Sequence, residues 1–175
     1  NPKQLNEMLT YSTKIDGFPP VLAATELDKA ECIKVCLKYG ADIEWRTAND
    51  NEIIAGATAL HLASFYGRLS ALKTLVEFGA DIKSQTNTNL QTALHIAIKQ
   101  KHIHIVRYLL SLEKGRECLS IPDSDDKLPS YYAFIQGNDE LLNEFFTNRL
   151  AISLGKIFNH DSDTELKCAN TLLKY

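Results

Sequence analysis

The stretch GATALHLASFYGRLSALKTLVEFGADI, residues 56–82, contains the pattern that decides the fold. The same pattern occurs without a gap in GFPPVLAATELDKAECIKVCLKYGADI, residues 17–43. It returns in LQTALHIAIKQKHIHIVRYLLSL, residues 90–112, and more faintly in DKLPSYYAFIQGNDELLNEFF, residues 126–146. Self-similarity at such a period indicates that one supersecondary unit is repeated along the chain.

Each copy reads as two short helices joined by a tight turn. A Thr or Pro opens the first helix, which suits a capping or first helical position. The second helix has apolar residues one turn apart, as in Leu72, Leu75 and Val76. Gly40 and Gly79 follow it where a left-handed cap is wanted. Neither helix could bury its apolar face alone, so the copies are expected to stack as a solenoid.

The repeated motifs resemble those of the ankyrin-repeat family. The matching pieces are TALHLA at 58–63, TALHIA at 92–97, YGAD at 39–42 and FGAD at 78–81. This resemblance implies an all-α solenoid of about four helix-turn-helix units, with β-turn fingers between them and helical caps at both ends. The repeats are expected within residues 16–147, as units at 16–49, 55–84, 89–118 and 125–147.

Some segments depart from the family pattern. Glu44 and Lys83 replace the usual Asn after the GAD turn, and the finger between Ile43 and Gly56 is longer than usual. Residues 1–15 are expected to form an N-terminal capping helix, and residues 148–175 C-terminal capping helices. The chain lacks an initiator Met and ends in an apparent helix, so a fragment of a longer protein is expected.

Two adjacent aromatics, Phe65 and Tyr66, precede the inter-helix glycine. Neighbours on a helix point about 100° apart, so both cannot share one buried face. The resemblance places them on the concave side, with Lys99 and Gln100 as counterparts in the next unit. At least one ring is therefore expected to serve as a partner-binding anchor. The alternative is local packing against the long finger.

The fingers supply the other predicted binding residues. Trp45, the single tryptophan, and Arg46 lie in the long finger and could reach a partner. Alternatively, Trp45 joins Ile53 and Ile54 in a small cluster that pins the insertion. The next finger, Gln85 to Asn89, is expected to add Gln85 and Asn87 to the binding surface.

Other polar residues have structural explanations. The resemblance makes His61 and His95 structural histidines that bond to a neighbouring unit's loop. Cys32 and Cys36, one turn apart, are expected to be small buried residues, and unpaired cysteines suggest a reducing compartment. A third finger with three aspartates is expected to be a solvated acidic turn. It lacks the glycine and terminal Glu of a calcium-binding loop.

Composition and missing motifs exclude several functions. A net charge of −3 and a pI near 6.0 argue against a nucleic-acid binder driven by bulk charge. No apolar run approaches the length of a membrane span. Phosphate-loop, dinucleotide, nucleophile-elbow and zinc-protease motifs are absent from the sequence. The chain is thus expected not to be an enzyme and to need no cofactor or metal.

The function predicted from the sequence is a non-catalytic module that binds a partner protein through the concave face and finger loops. One alternative is the targeting domain of a larger enzyme, and a variant is an ankyrin effector acting on host proteins. A third is an adaptor that self-associates. The expected state is a monomer inside a cell, in the cytoplasm or nucleus, or in a host cell if the chain is a secreted effector.

Overall fold

The computed structural model describes residues 19–48, 55–138, 140–142 and 144. Their helices, in chain order, are α1 (Pro20–Glu26), α2 (Ala30–Lys38), α3 (Ala59–Tyr66), α4 (Leu69–Glu77), α5 (Ala93–Lys99), α6 (Ile103–Ser111), α7 (Glu113–Glu117), a 3-10 turn (Cys118–Ser120) and α8 (Pro129–Gln136). These residues contain no strand, only one isolated antiparallel bridge between Gln85 and Thr92. The predicted all-α class is therefore confirmed, whereas the predicted caps at 1–15 and 148–175 lie outside the described residues.

The first helix of each unit begins with a local capping device. Thr58 and Thr92 occupy extended N-cap positions before α3 and α5. The Thr58 amide donates to Nδ1 of His61 at 3.1 Å, and the Thr92 amide donates to Nδ1 of His95 at 3.2 Å. Helices α1 and α8 begin instead with proline, whose fixed φ suits the first turn.

Both kinds of turn use left-handed backbone. The inter-helix turn has a positive φ in every described unit, at Asp28, Gly67, Lys101 and Gly137. After α2 and α4, Gly40 and Gly79 have φ of 88° and 91°, which confirms the predicted caps. The inter-helix turns therefore share one backbone conformation, whether or not the residue with positive φ is glycine.

The core runs along the stack between the two layers of helices. Leu60 and Leu94 of the first helices are buried, as are Leu72 and Ile105 of the second helices. Each such side chain contributes about 1.5–3 kcal/mol relative to exposure. Neighbouring first helices contact one another more extensively than neighbouring second helices do, so the first helices form the more closely packed layer, which we call the inner layer.

Two buried histidines join neighbouring units, as predicted. With Nδ1 accepting from the threonine amide, Nε2 of His61 donates to the Ser84 carbonyl at 3.0 Å. The equivalent atom of His95 donates to the Lys127 carbonyl at 3.2 Å. Burial, with a smaller contribution from the Arg46 charge, lowers the pKa of His61 to about 4 against the opposing effect of the Ser84 hydrogen bond. The neutral imidazole is therefore the structural form.

Two sequence predictions about polar residues are wrong. Cys32 is exposed and Cys36 half-buried, so they are not a buried pair. In the third finger Asp123 is only 4% exposed, although Asp125 and Asp126 are exposed as predicted. Asp123 accepts hydrogen bonds from the Tyr132 hydroxyl and from two backbone amides of its own turn. Its carboxylate therefore shapes the turn.

Candidate partner-binding surface

The last residues of the first helices form a line across the stack, which we call the inner-helix row. Its members, unit by unit, are Glu26 and Leu27, Phe65 and Tyr66, Lys99 and Gln100, and Ile135 and Gln136. Leu27 is 68% exposed and Ile135 is 36% exposed, whereas Lys99 and Gln100 are exposed polar residues. Since the rest of each first helix is largely buried, the row is where the inner layer meets solvent.

Each of the two adjacent aromatic side chains is partly packed and partly exposed. Phe65 and Tyr66 are both half-buried, and their rings meet edge to face with centroids 5.2 Å apart. Tyr66 also packs against the hydrophobic core. A helix with neighbours on several sides buries more than one face, so two consecutive rings can both be partly covered. The pair still presents aromatic surface to solvent.

Side-chain donors from the following unit hold the row in place. In each case a donor bonds to a carbonyl near the end of the preceding first helix. The three bonds are Arg68 Nε to Glu26 at 2.8 Å, His102 Nε2 to Phe65 at 2.9 Å and Gln136 Nε2 to Lys99 at 3.1 Å. The last carbonyls of a helix lack intrahelical partners, so these bonds satisfy groups that would otherwise need water. They also fix the spacing of the row.

Lys99 is the cation of the row. Its Nζ lies 4.9 Å from the centroid of the Tyr132 ring, within cation–π range. Tyr132 is held by its hydroxyl, which donates to Asp123. Burial raises the pKa of Tyr132, and the Asp123 carboxylate adds to the increase. The phenol thus remains neutral while it positions the ammonium group.

Arg46 brings the bases of two fingers together. Its guanidinium donates to the Gly56 and Gln85 carbonyls, both at 2.8 Å, and to Ser84 Oγ at 2.7 Å. A longer contact of 3.5 Å reaches the Asn87 side chain. Three of the residues predicted for binding are therefore joined in one network. The guanidinium therefore makes its hydrogen bonds within the chain.

The remaining predicted residue, Trp45, is half-buried and packs against the core. This contact favours the structural interpretation of the indole, while Ile53 and Ile54 lie outside the described residues. The predicted residues thus form two groups, Phe65, Tyr66, Lys99 and Gln100 in the inner-helix row and Trp45, Arg46, Gln85 and Asn87 at the finger base. Leu27 and Ile135 were not predicted for binding, but they also belong to the inner-helix row, and their places in the repeat register could have shown this.

Two other kinds of feature, a metal-binding cluster and a membrane span, are absent from the described part of the chain. Within it, no group of three or more His, Cys, Asp or Glu residues could hold a metal ion. None of its helices is long and apolar enough to cross a membrane.

A family model described as ankyrin repeats (many copies) matches residues 60–110. The chain is 41% identical over 76 residues to protein phosphatase 1 regulatory subunit 27 of Mus musculus, covering 43% of this chain and 47% of that protein. It is 46% identical over 59 residues to the Notch-regulated ankyrin repeat-containing protein of Xenopus tropicalis, covering 34% and 51% respectively.

A third relative is the putative E3 ubiquitin-protein ligase XBAT31 of Arabidopsis thaliana. It is 43% identical over 95 residues, which make up 49% of this chain and 21% of that protein. The chain thus spans about half the length of the first two relatives, 47% and 51%, and 21% of the length of the ligase.

Proposed function

Because the chain belongs to the ankyrin-repeat family, a family of protein–protein interaction modules, we propose that it binds a partner protein through the inner-helix row. The observation that carries this proposal is the composition of the row. Exposed Leu27 and Ile135 flank the half-buried Phe65–Tyr66 pair and exposed Lys99. Aromatic residues are enriched as interface anchors, and a cation beside them adds specificity.

Rigid display supports this role. Hydrogen bonds from the next unit hold the row's backbone, and the cation–π contact with Tyr132 limits the rotamers of Lys99. A surface already ordered in the free protein loses less conformational entropy on binding. The partner surface that fits the row is apolar, with a carboxylate opposite Lys99.

The finger base is proposed as a second contact surface, near the start of the first helices, whereas the row lies at their ends. Trp45 and Arg46 act there mainly through their contacts within the chain, because the indole packs on the core and the guanidinium binds two carbonyls. Gln85 and Asn87 are joined to Arg46 and lie nearer solvent. We expect substitutions at Arg46 to change the position of the fingers before they change any direct contact.

We further propose a non-catalytic role inside a cell. Cys32, Cys36 and Cys118 are free thiols, as expected in a reducing compartment. Burial raises the pKa of Cys118 to about 11, so this thiol stays protonated and unreactive. Burial likewise raises the pKa of the Cys36 thiol.

Substrate recruitment within a larger enzyme is the second candidate. The observation behind it is that the similar region makes up only 21% of the relative named as a ubiquitin ligase. An open reading frame that continues into a catalytic domain would support this candidate. A stop codon directly after Tyr175 would count against it.

Affinity capture from cell lysate tests the main proposal. The bait is the full chain, compared with a Phe65→Ala/Lys99→Ala variant. A matched control is Tyr39→Ala/Phe78→Ala, which removes two exposed aromatics from the ends of second helices, 41% and 38% exposed. Urea unfolding first confirms that all baits fold.

We expect a partner to bind the wild type and the control but to lose about tenfold affinity or more for the row variant. Purified catalytic subunit of protein phosphatase 1 is an additional probe, suggested by the name of one relative. Equal binding by all three baits would contradict the assignment of the row.

A further inference from the structure

The end of each described finger has the same backbone conformation. The residue two positions before the first helix's N-cap has a positive φ, of 68° at Gly56, 48° at Leu90 and 57° at Asp126. Glycine suits this conformation, and aspartate tolerates it because its short side chain can bond locally. Leucine has a β-carbon that makes a positive φ unfavourable, and its side chain cannot form a local hydrogen bond. The second finger therefore carries an unfavourable residue at a position that the repeat itself defines.

The Leu90 side chain gains little from burial in return. It is 44% exposed, and it belongs neither to the core cluster nor to the half-buried apolar residues packed against that cluster. The neighbouring Asn87, Thr88 and Asn89 are exposed and polar. Leu90 is therefore an isolated apolar group on a polar finger tip.

Other groups hold this turn. The Gln85 side-chain amide donates to the Leu90 carbonyl at 2.6 Å, and the Thr86 amide donates to the Gln91 carbonyl at 3.0 Å. From the next finger, the Ser124 amide donates to the Asn89 carbonyl at 3.0 Å. The backbone of the tip is thus fixed without the leucine side chain. A strained residue held by its surroundings and unneeded by the fold is typical of binding sites.

We propose that Leu90 is a partner-binding anchor that inserts into a leucine-sized apolar pocket on the partner protein, with an uncharged polar rim around that pocket. The charge of the finger supports this chemistry, because residues 84–93, SQTNTNLQTA, contain no ionisable side chain. Asn87 and Asn89, both exposed on the same finger, would supply amide groups to such a rim. This inference rests on the proposed function and adds a second contact to the inner-helix row.

The first experiment concerns stability and needs no partner. Leu90→Asn introduces a residue that tolerates a left-handed backbone and removes exposed apolar surface. We expect the urea midpoint of the full chain to rise at an unchanged m-value. A lower midpoint would show that the leucine serves the fold, and this result would overturn the inference.

The second experiment identifies what Leu90 contacts. Photo-leucine replaces Leu90, or Leu27 in the inner-helix row, in full chain expressed in cells, and irradiation forms covalent adducts. A discrete protein adduct at position 90 is expected. No adduct at 90 overturns this inference, while an adduct at 27 in the same experiment leaves the proposed function standing.

Affinity measurements with the purified adduct partner complete the test. Leu90→Asn is expected to lose about tenfold affinity, and the ratio to wild type should change less than about twofold between 50 and 500 mM NaCl. Leu27→Asn is the matched variant for the row. Loss by Leu27→Asn alone supports the row and overturns the anchor. Loss of affinity in Leu90→Asn alone supports the Leu90 anchor and contradicts binding by the row. If neither variant loses affinity, both proposals are contradicted.

Discussion

Acidification is expected to destabilise this fold through His61. The imidazole is 0% exposed, its Nδ1 accepts from the Thr58 amide, and its Nε2 donates to the Ser84 carbonyl. A proton added at Nδ1 would face an N–H group that can no longer donate to it. Burial therefore opposes the charged form, and the nearby Arg46 guanidinium opposes it further.

The sign and size of the effect follow from the pKa. The folded pKa of His61 is about 4, below the ordinary value of 6.5. Between these values the unfolded state binds the proton more readily, so the free energy of unfolding falls as pH falls. Above pH 6.5 this histidine has almost no effect. The whole difference corresponds to about 3 kcal/mol lost by pH 4.

Urea unfolding of the full chain at several values between pH 7 and pH 4 measures this loss. A His61→Gln variant should be less stable at pH 7 but should lose about 3 kcal/mol less than wild type over the range. Burial also lowers the pKa of His95, so part of the wild-type loss should remain in the variant. Leu75→Ala is the control, since it destabilises a buried site without removing an ionisable group. If His61→Gln and wild type lose equal stability, the reasoning about His61 is wrong.

Four further predictions concern turns and fingers, each measured as the urea midpoint at constant m-value. Gly137→Ala should cost about 1 kcal/mol from its left-handed φ alone, because a Cβ there meets nothing within 4 Å. Gly67→Ala should cost roughly 2 kcal/mol, because its Cβ would also lie 2.8 Å from the His102 ring. Equal costs for Gly67→Ala and Gly137→Ala would refute the effect of this contact. Lys101→Gly should stabilise by about 0.5 kcal/mol because Lys101 has a φ of 62°; a loss would show that the lysine side chain matters more than strain. Arg46→Lys should cost about 2 kcal/mol, because an ammonium cannot reproduce the forked bonds to two carbonyls and Ser84, and no change would contradict that role.

The fold could be predicted because its signals are local and recur. Thr58 with His61, and Thr92 with His95, fix helix starts within four residues of sequence. Gly40 and Gly79 mark helix ends because few other residues adopt their φ at little cost. Such features depend on neighbours along the chain, so they can be read before any tertiary contact is known.

The errors arose where a neighbouring element decides the outcome. Helical spacing shows that Cys32 lies on a turn with Cys36, but it cannot show that Cys32 remains exposed. The sequence of the third finger predicts a solvated carboxylate at Asp123, but the hydroxyl of Tyr132, from the following helix, donates to it. Arg46 donates to the Gln85 carbonyl, 39 residues later in the chain. No sequence pattern marks which backbone carbonyl will receive a distant side chain.

Equivalent positions in successive units are of two kinds, structural residues and candidates for binding. His61 and His95 make the same bond to the next finger, so the histidine belongs to the architecture. At the end of the first helix the side chain varies, with an aromatic ring at Phe65 and a cation at Lys99, although a donor from the next unit bonds to the backbone carbonyl of both. Backbone contacts are thus conserved between units while the exposed side chains differ. Because the contacts between units use the backbone of these residues, their exposed side chains can differ without loss of stacking and are the positions at which the proposed recognition of a partner can be encoded.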